Sequence, residues 1–235
     1  MPKYLLARDV YVCVVDNRCI WFDVTRNSYF GSKATDIAFV EGGVDDPSMA
    51  GNISTDRTSV DAGGAKLLKH GLLTDDSARG HRAEPVCVDS IREALIADHS
   101  RVSPKIGGRD VLRFLVACIS TLVMLRRFSL GMALRNLEKK KSRVQIRTKH
   151  ADRERVRELV CVFVRLRIFA YTVRQACLFD SLALARFLLA YSEIPQVVIG
   201  VSTQPFRSHC WVQVGDLVAN SEPEFTKRFK PIFML

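Results

Sequence analysis

The chain contains no CxxC pair, although seven of its 235 residues are cysteine. Cys13, Cys19, Cys87, Cys118, Cys161, Cys177 and Cys210 are scattered and odd in number. That pattern argues against a disulfide framework and against a tetrahedral zinc site, so a reducing cytoplasm is the expected setting. Glycine (13) and proline (8) are too sparse for a collagen-like or low-complexity chain. The first residues lack the apolar stretch and cleavage site of a signal peptide. The most membrane-like segment, Phe114 to Leu125, has twelve residues free of charge, short of the roughly 20 a spanning helix needs. It reads as a buried helix, with a membrane-surface helix as the alternative. Gly107-Gly108 lacks the Lys-Ser/Thr of a phosphate loop, so no nucleotide is expected, and two cysteines with a histidine lack the fourth ligand of a zinc site, so no metal is expected.

What is present is an apolar fraction of 48%, enough for a packed core, and a formal charge of +10. The positive charge is concentrated: residues 126–157 hold twelve Lys/Arg against three Asp/Glu. Such a stretch forms solvated helix faces, or attracts nucleic acid, anionic lipid or an acidic peptide. Aromatic side chains do not interleave the basic ones as a base-stacking surface requires, so nucleic acid ranks last and peripheral membrane contact stays open.

Three textures divide the chain into an α+β protein. Residues 1–76 open with two β-like runs, Val10 to Val15 and Cys19 to Phe22, separated by the turn residues Asp16-Asn17-Arg18. Asn27 to Tyr29 begin a further turn or strand. After a Gly/Asp-rich stretch from Glu41 to Gly64, Ala65 to Leu73 reads as a short helix stopped by Gly71. Residues 77–108 are polar and punctuated by Pro85, Pro104 and Gly107-Gly108. They read as a linker, in which Ser90 to Ala97 make a helical turn or two. Residues 109–235 form helices and then an antiparallel sheet. Val111 to Phe128, Ala151 to Tyr171 and Cys177 to Tyr191 are helical. Val197 to Val201, Cys210 to Val214 and Leu217 to Ala219 are strands, the last two joined by Gly215-Asp216.

The chemistry concentrates on two residues. Cys177 opens an apolar helix whose Leu178, Leu182, Ala185 and Leu189 share one stripe, widened by Leu184 and Leu188, so the helix is central. Free backbone N–H groups and the positive dipole end at such a helix start favour a thiolate, and can receive an oxyanion when a carbonyl is attacked. The base for this thiol is His209, at the edge of the run Ser208 to Val214. A strand there can point its ring at a helix end packed on the sheet. A third group orients the imidazole, and Asn220, Ser221, Glu222 and Asp216 are the polar options. Against this stand plainer readings: Cys177 as a small core residue, His209 as a satisfied surface histidine, Trp211 as core, Asp180 as a complement to the helix dipole. Gln175 is either an oxyanion donor or a capping residue.

The ordered motifs decide between them. The stretch Cys177-Leu178-Phe179-Asp180-Ser181-Leu182-Ala183-Leu184, then Val198-Ile199-Gly200-Val201, Thr203-Gln204-Pro205-Phe206 and Ser208-His209-Cys210-Trp211-Val212, resembles the lasso-peptide maturation peptidases, the B proteins. The resemblance covers about the last 60 residues. It implies a transglutaminase-like (papain-like) cysteine protease fold, with Cys177 as nucleophile and His209 as base. The activity implied is removal of the leader from a ribosomal precursor peptide. An ATP-dependent, asparagine synthetase-like partner then closes the macrolactam ring; ATP belongs to that partner, and the peptidase itself needs no cofactor. Residues 1–76 resemble, more faintly, the small winged-helix-like RiPP recognition element, which would bind the leader as an added strand.

One departure stands out. B proteins commonly carry Val-Asn-Asp after the His strand, the Asp being the third triad member. Here Val218-Ala219-Asn220-Ser221 puts Ser221 in that seat. Asn220 orients a ring in papain-type sites, and Glu222 or Asp216 serve if the turn shifts. The third seat therefore stays open, and two rival functions remain: an acyl transferase of transglutaminase type, and a non-catalytic scaffold that presents the precursor.

Overall fold

A computed structural model describes residues 4–42, 60–95, 104–145, 152–171 and 176–235. The chain forms two compact units: Met1–Cys87 with Val201–Arg207, and Val88–Gly200 with Ser208–Leu235.

The first unit has two three-stranded sheets. Its strands are β1 (Leu5–Ala7), β2 (Val10–Val15), β3 (Arg18–Asp23) and β4 (Ser28–Lys33), and a 3-10 turn covers Ala34–Phe39. Helix α1 (Val60–Lys69) and strands β5 (Leu73–Thr74) and β6 (Gly80–His81) follow. Asp16 and Asn17 both take positive φ, 47° and 60°, the geometry of a two-residue hairpin whose twist matches its strands. Hence Val15 pairs with Arg18, and the meander β2-β3-β4 is antiparallel throughout. The central strand β3 is covered on both faces, with Trp21 and Phe22 fully buried, and the Trp21 indole donates to Ser32 Oγ at 2.9 Å. Leu6, Val12, Trp21, Ile37, Leu67 and Leu72 share one core.

Gly71 ends α1 as the sequence suggests, at φ +70°. The Leu72 and Gly71 N–H groups turn back onto the carbonyls of Leu67 and Leu68, satisfying two orphan acceptors. Leu72 and Leu73 thus leave the helix expected to include them, and Leu73 enters β5, paired with Leu6 of β1.

The second unit holds β7 (Glu93–Ala94), α2 (Gly108–Arg127), α3 (Leu130–Gln145), α4 (Arg153–Arg167) and α5 (Cys177–Leu189). Then come β8 (Gln196–Thr203) and β9 (Phe206–Val214), whose joined ends Val201–Arg207 count with the first unit, and β10 (Leu217–Val218), α6 (Pro223–Thr226) and β11 (Lys230–Met234). The sheet order is β11-β8-β9-β10-β7. The β9–β10 hairpin turns on Gly215-Asp216, with Gly215 at φ +58°. α5 is buried from Asp180 to Leu189 and packs against α2, α3 and α4.

Three elements differ from the sequence reading. The turn expected over Ser90 to Ala97 contains a strand, because Glu93–Ala94 pairs in parallel with Leu217–Val218 at the sheet edge. α3 is a separate helix: Leu130, Ala133, Leu134 and Leu137 form a narrow buried stripe that the surrounding lysines and arginines obscure. α2 is not a buried helix. It sets Phe114, Ala117 and Thr121 inward, and leaves Leu115, Val116, Ile119, Leu122 and Val123 exposed. Only one side of a helix meets its neighbours, so an unbroken apolar window does not imply burial all round.

Gly200 in β8 is where a side chain has no room. A Cβ there would stand 2.8 Å from Phe229 Cβ and 2.9 Å from the Trp211 ring. Gly200→Ala is expected to lower stability by about 1–3 kcal/mol through overpacking, read as a lower urea midpoint at unchanged slope.

Candidate active site

Cys177 is the first residue of α5 and is half-buried. The first bond of the helix runs from the Asp180 N–H to the Ala176 carbonyl at 2.8 Å. The N–H groups of Cys177, Leu178 and Phe179 precede it, so the thiol sits among donors that the helix does not use. Gln175, the other oxyanion candidate, lies outside the described residues.

His209 lies in β9, within a cage of rings. Its centroid is 5.0 Å from Phe225, 5.3 Å from Phe229 and 5.9 Å from the stacked Trp211. This burial disfavours the imidazolium and draws the His209 pKa down to about 4. Among the described residues its polar ring contact is with Ser221, Nε2 to Oγ at 2.9 Å. A hydroxyl both donates and accepts, so Ser221 leaves the tautomer free, where a carboxylate would hold the proton on Nε2.

The other third-seat options are engaged elsewhere. Asn220 accepts from the Val212 N–H at 2.8 Å and donates to Asp180 Oδ2 at 2.8 Å and Ser181 Oγ at 2.9 Å. Asp216 sits at the hairpin turn, bound by both oxygens to Arg153 at 2.5 and 2.6 Å. Glu222 is exposed and precedes α6 as its N-cap residue.

Asp180 has a larger role than dipole compensation. Fully buried, its carboxylate accepts from Arg167 Nη1 at 3.0 and 3.1 Å, from the Tyr171 hydroxyl at 2.8 Å and from Asn220. Burial and this carboxylate both push the Tyr171 phenol well above its usual pKa, so it remains a donor. One residue on, Ser181 donates to the Cys210 carbonyl at 2.9 Å, immediately after His209. The start of α5 is thereby tied to β9 and to the segment after β10. Burial pushes the Cys210 thiol pKa well above its usual range, with the Ser181 contact opposing it in part, so Cys210 stays neutral. Among the described residues no hydrogen bond joins the Cys177 thiol to the His209 ring, and such bonds often tighten only when substrate is bound.

The sequence reading did not find Arg167, Tyr171, Phe225 or Phe229. A signal for the first existed: a carboxylate at position 180, in the first turn of a largely apolar helix, demands a buried cation. Among the described residues no group of three His, Cys, Asp or Glu side chains is placed to hold a metal ion.

The model of the transglutaminase-like superfamily matches residues 115–234. The chain belongs to the transglutaminase-like superfamily. Within it, the chain is similar to the microcin J25-processing protein McjB of Escherichia coli, 37% identical over 95 residues. That alignment covers 40% of this chain and 43% of McjB, so it spans less than half of its relative. No solved structure matches the chain. The superfamily match contains α4, α5 and the strands β8 to β11, hence Cys177, His209, Ser221 and the Asp180 cluster.

The lowered His209 pKa has a consequence for stability. The unfolded imidazole takes up a proton as pH falls below about 6.5, while the folded one resists until about 4. The unfolded state then binds more protons, so stability is complete above about 6.5 and is lost as pH falls toward 4. With partial solvent access the loss is on the order of 2 kcal/mol. Urea midpoints at neutral and acid pH should diverge in the native protein, and less so in His209→Gln.

Proposed function

We propose that this superfamily member is a cysteine endopeptidase that removes the leader of a lasso-peptide precursor at the leader–core junction. The observation that carries the reading is that a thiol at the start of α5 and a caged imidazole in β9 stand on elements tied together through Asp180 and Ser181. Membership of the superfamily and the similarity to McjB support it.

In this mechanism His209 takes the Cys177 proton on Nδ1 while Nε2–H donates to Ser221. The thiolate attacks the carbonyl carbon of the scissile bond, and the oxyanion meets the N–H groups at the α5 start. The C–N bond breaks as the imidazolium protonates the departing amine, leaving the leader as a thioester on Cys177. Water, deprotonated by His209, hydrolyses the thioester, and the thiol recovers its proton. Products are a leader acid and a core with a free amine, the group a macrolactam synthetase joins to a side-chain carboxylate using ATP. The resemblance also implies a Thr two residues before the new N-terminus. Ser221 carries no charge to stabilise the imidazolium, so turnover is slower than with an Asp in that seat.

The leader is assigned to the first unit, as a strand added to the meander in the manner of a RiPP recognition element. β4 is terminal in that sheet, whereas the opposite edge at β2 is met by His81, whose Nε2 lies 2.9 Å from the Val10 carbonyl oxygen. A cavity of about 200 Å³ beside β4, lined by Ile20, Tyr29, Phe30, Gly31, Thr203 and Phe206, fits a leader side chain.

The superfamily's chemistry also supports a second reading, transfer of the acyl group to an amine. Product mass separates the two: hydrolysis yields a leader acid, transfer a new amide. For the peptidase, Cys177→Ala and His209→Ala should each abolish leader removal, followed by mass spectrometry of the precursor, while leader affinity persists. Normal cleavage by Cys177→Ala overturns the assignment. Intact precursor with stoichiometric native protein and tight leader binding would indicate a scaffold instead.

A further inference from the structure

α2 carries an apolar surface that the peptidase chemistry does not use. Leu112, Leu115, Val116, Ile119, Leu122 and Val123 recur at helical spacing along one face, and each is 41–62% exposed. No charge interrupts that face between Phe114 and Leu125; the arginines stand at its ends, Arg109 and Arg113 before it and Arg126 and Arg127 after. The helix's one acidic residue, Asp110, is occupied by the Gly107 N–H and the Tyr191 hydroxyl.

Beside this stripe lies a cavity of about 420 Å³ between α2, α3 and α5. Leu112, Val116 and Leu189 supply apolar wall, and Arg113, Lys140 and Arg143 supply positive charge. No Asp or Glu is among the described residues that line it. Arg186, also in the lining, is 6% exposed; Nη1 donates to Asn136 at 3.0 Å, but Nε has no partner. Burial and the charge of Arg186 together draw the Lys140 pKa down. Arg186 is thus a buried guanidinium with no carboxylate in the described lining, while Lys140 and Arg143 are exposed at the rim and Arg113 stacks on the Tyr191 ring; together they set a basic rim, a seat for an anion, beside an apolar body.

We propose that this face of α2 docks on an anionic phospholipid bilayer, the stripe entering the acyl boundary and the cavity cations taking a lipid phosphate. The layout distinguishes the occupants. A second copy would bring together two chains of charge +10. An acidic protein helix would pair best with cations interleaved along the stripe, whereas here they flank it and line α3. An uncharged apolar strip below a rim of guanidinium and ammonium groups matches acyl chains beneath phosphates, with the long basic side chains reaching up to them. Among the described residues no helix is long and apolar enough to cross a membrane, so the contact is with the surface.

Co-sedimentation of the whole protein with vesicles tests this. Vesicles of phosphatidylcholine alone should retain little protein, and vesicles with about 30% phosphatidylglycerol at least about tenfold more at moderate salt. Both native tryptophans are buried, at 0% and 2% exposure, so Ile119→Trp adds a reporter whose emission should shift to the blue on anionic vesicles alone. Val116→Glu with Ile119→Glu, and separately Lys140→Glu with Arg143→Glu, should each lower binding about tenfold or more while the circular dichroism spectrum is kept. Lack of preference for anionic vesicles overturns the proposal, as does binding that survives the stripe variant. Displacement by millimolar inorganic phosphate would indicate a soluble-anion site, and capture of polyglutamate but not vesicles an acidic protein partner; either result also overturns it.

Discussion

A carboxylate sealed inside a helical core governs the geometry of the second unit. Burying Asp180 alone would cost several kcal/mol. Here the cost is offset by Arg167 from α4, which donates to both oxygens, by the Tyr171 hydroxyl on Oδ1 and by the Asn220 amide on Oδ2. Such a charge stabilises the fold little in net terms, but it penalises any arrangement in which its partners separate. Asp180 lies one turn beyond Cys177, and Asn220 immediately precedes Ser221. A single buried anion thus constrains the helix of the proposed nucleophile and the residue that touches His209. The Ser181–Cys210 bond adds a second tie across the same interface. Positional accuracy of this kind is what acyl chemistry between a thiol and an imidazole requires.

The other end of the proposed couple is governed by what is missing from it. His209 sits among Trp211, Phe225 and Phe229 with a hydroxyl, not a carboxylate, at 2.9 Å. The rings limit water around the imidazole and hold its plane, while the low pKa of about 4 keeps the ring neutral. A neutral ring accepts a proton, but the resulting imidazolium lacks a nearby anion. In the proposed mechanism its counter-ion is the thiolate formed on Cys177.

Much of the sheet and of the central helix was legible before any coordinates. Asp16-Asn17 and Gly215-Asp216 mark their hairpins because few residues accept positive φ, and Gly71 marks the end of α1 for the same reason. α5 was legible through its continuous apolar character. β7, by contrast, is two residues long and exists only because β10 offers an edge. The exposed side of α2 was misread because composition reports how apolar a helix is, not which neighbours it finds. In the site, Cys177, His209 and the short list for the third seat came from the ordered motifs. Ser221's contact could not be separated from its neighbours, since Asn220, Ser221 and Glu222 differ by one residue of register, which is a tertiary matter. Arg167 and Tyr171 were hidden because they meet Asp180 only through the packing of α4 on α5.

The central claim is that Cys177 is the nucleophile and that the Asp180 cluster presents it to His209. A leader peptide ending in a C-terminal chloromethyl ketone, followed by peptide mapping, tests it most directly. The account predicts a single adduct on Cys177, suppressed by excess free leader and slowed in Asp180→Asn. Labelling of another cysteine, or labelling indifferent to position 180 and to free leader, would contradict it.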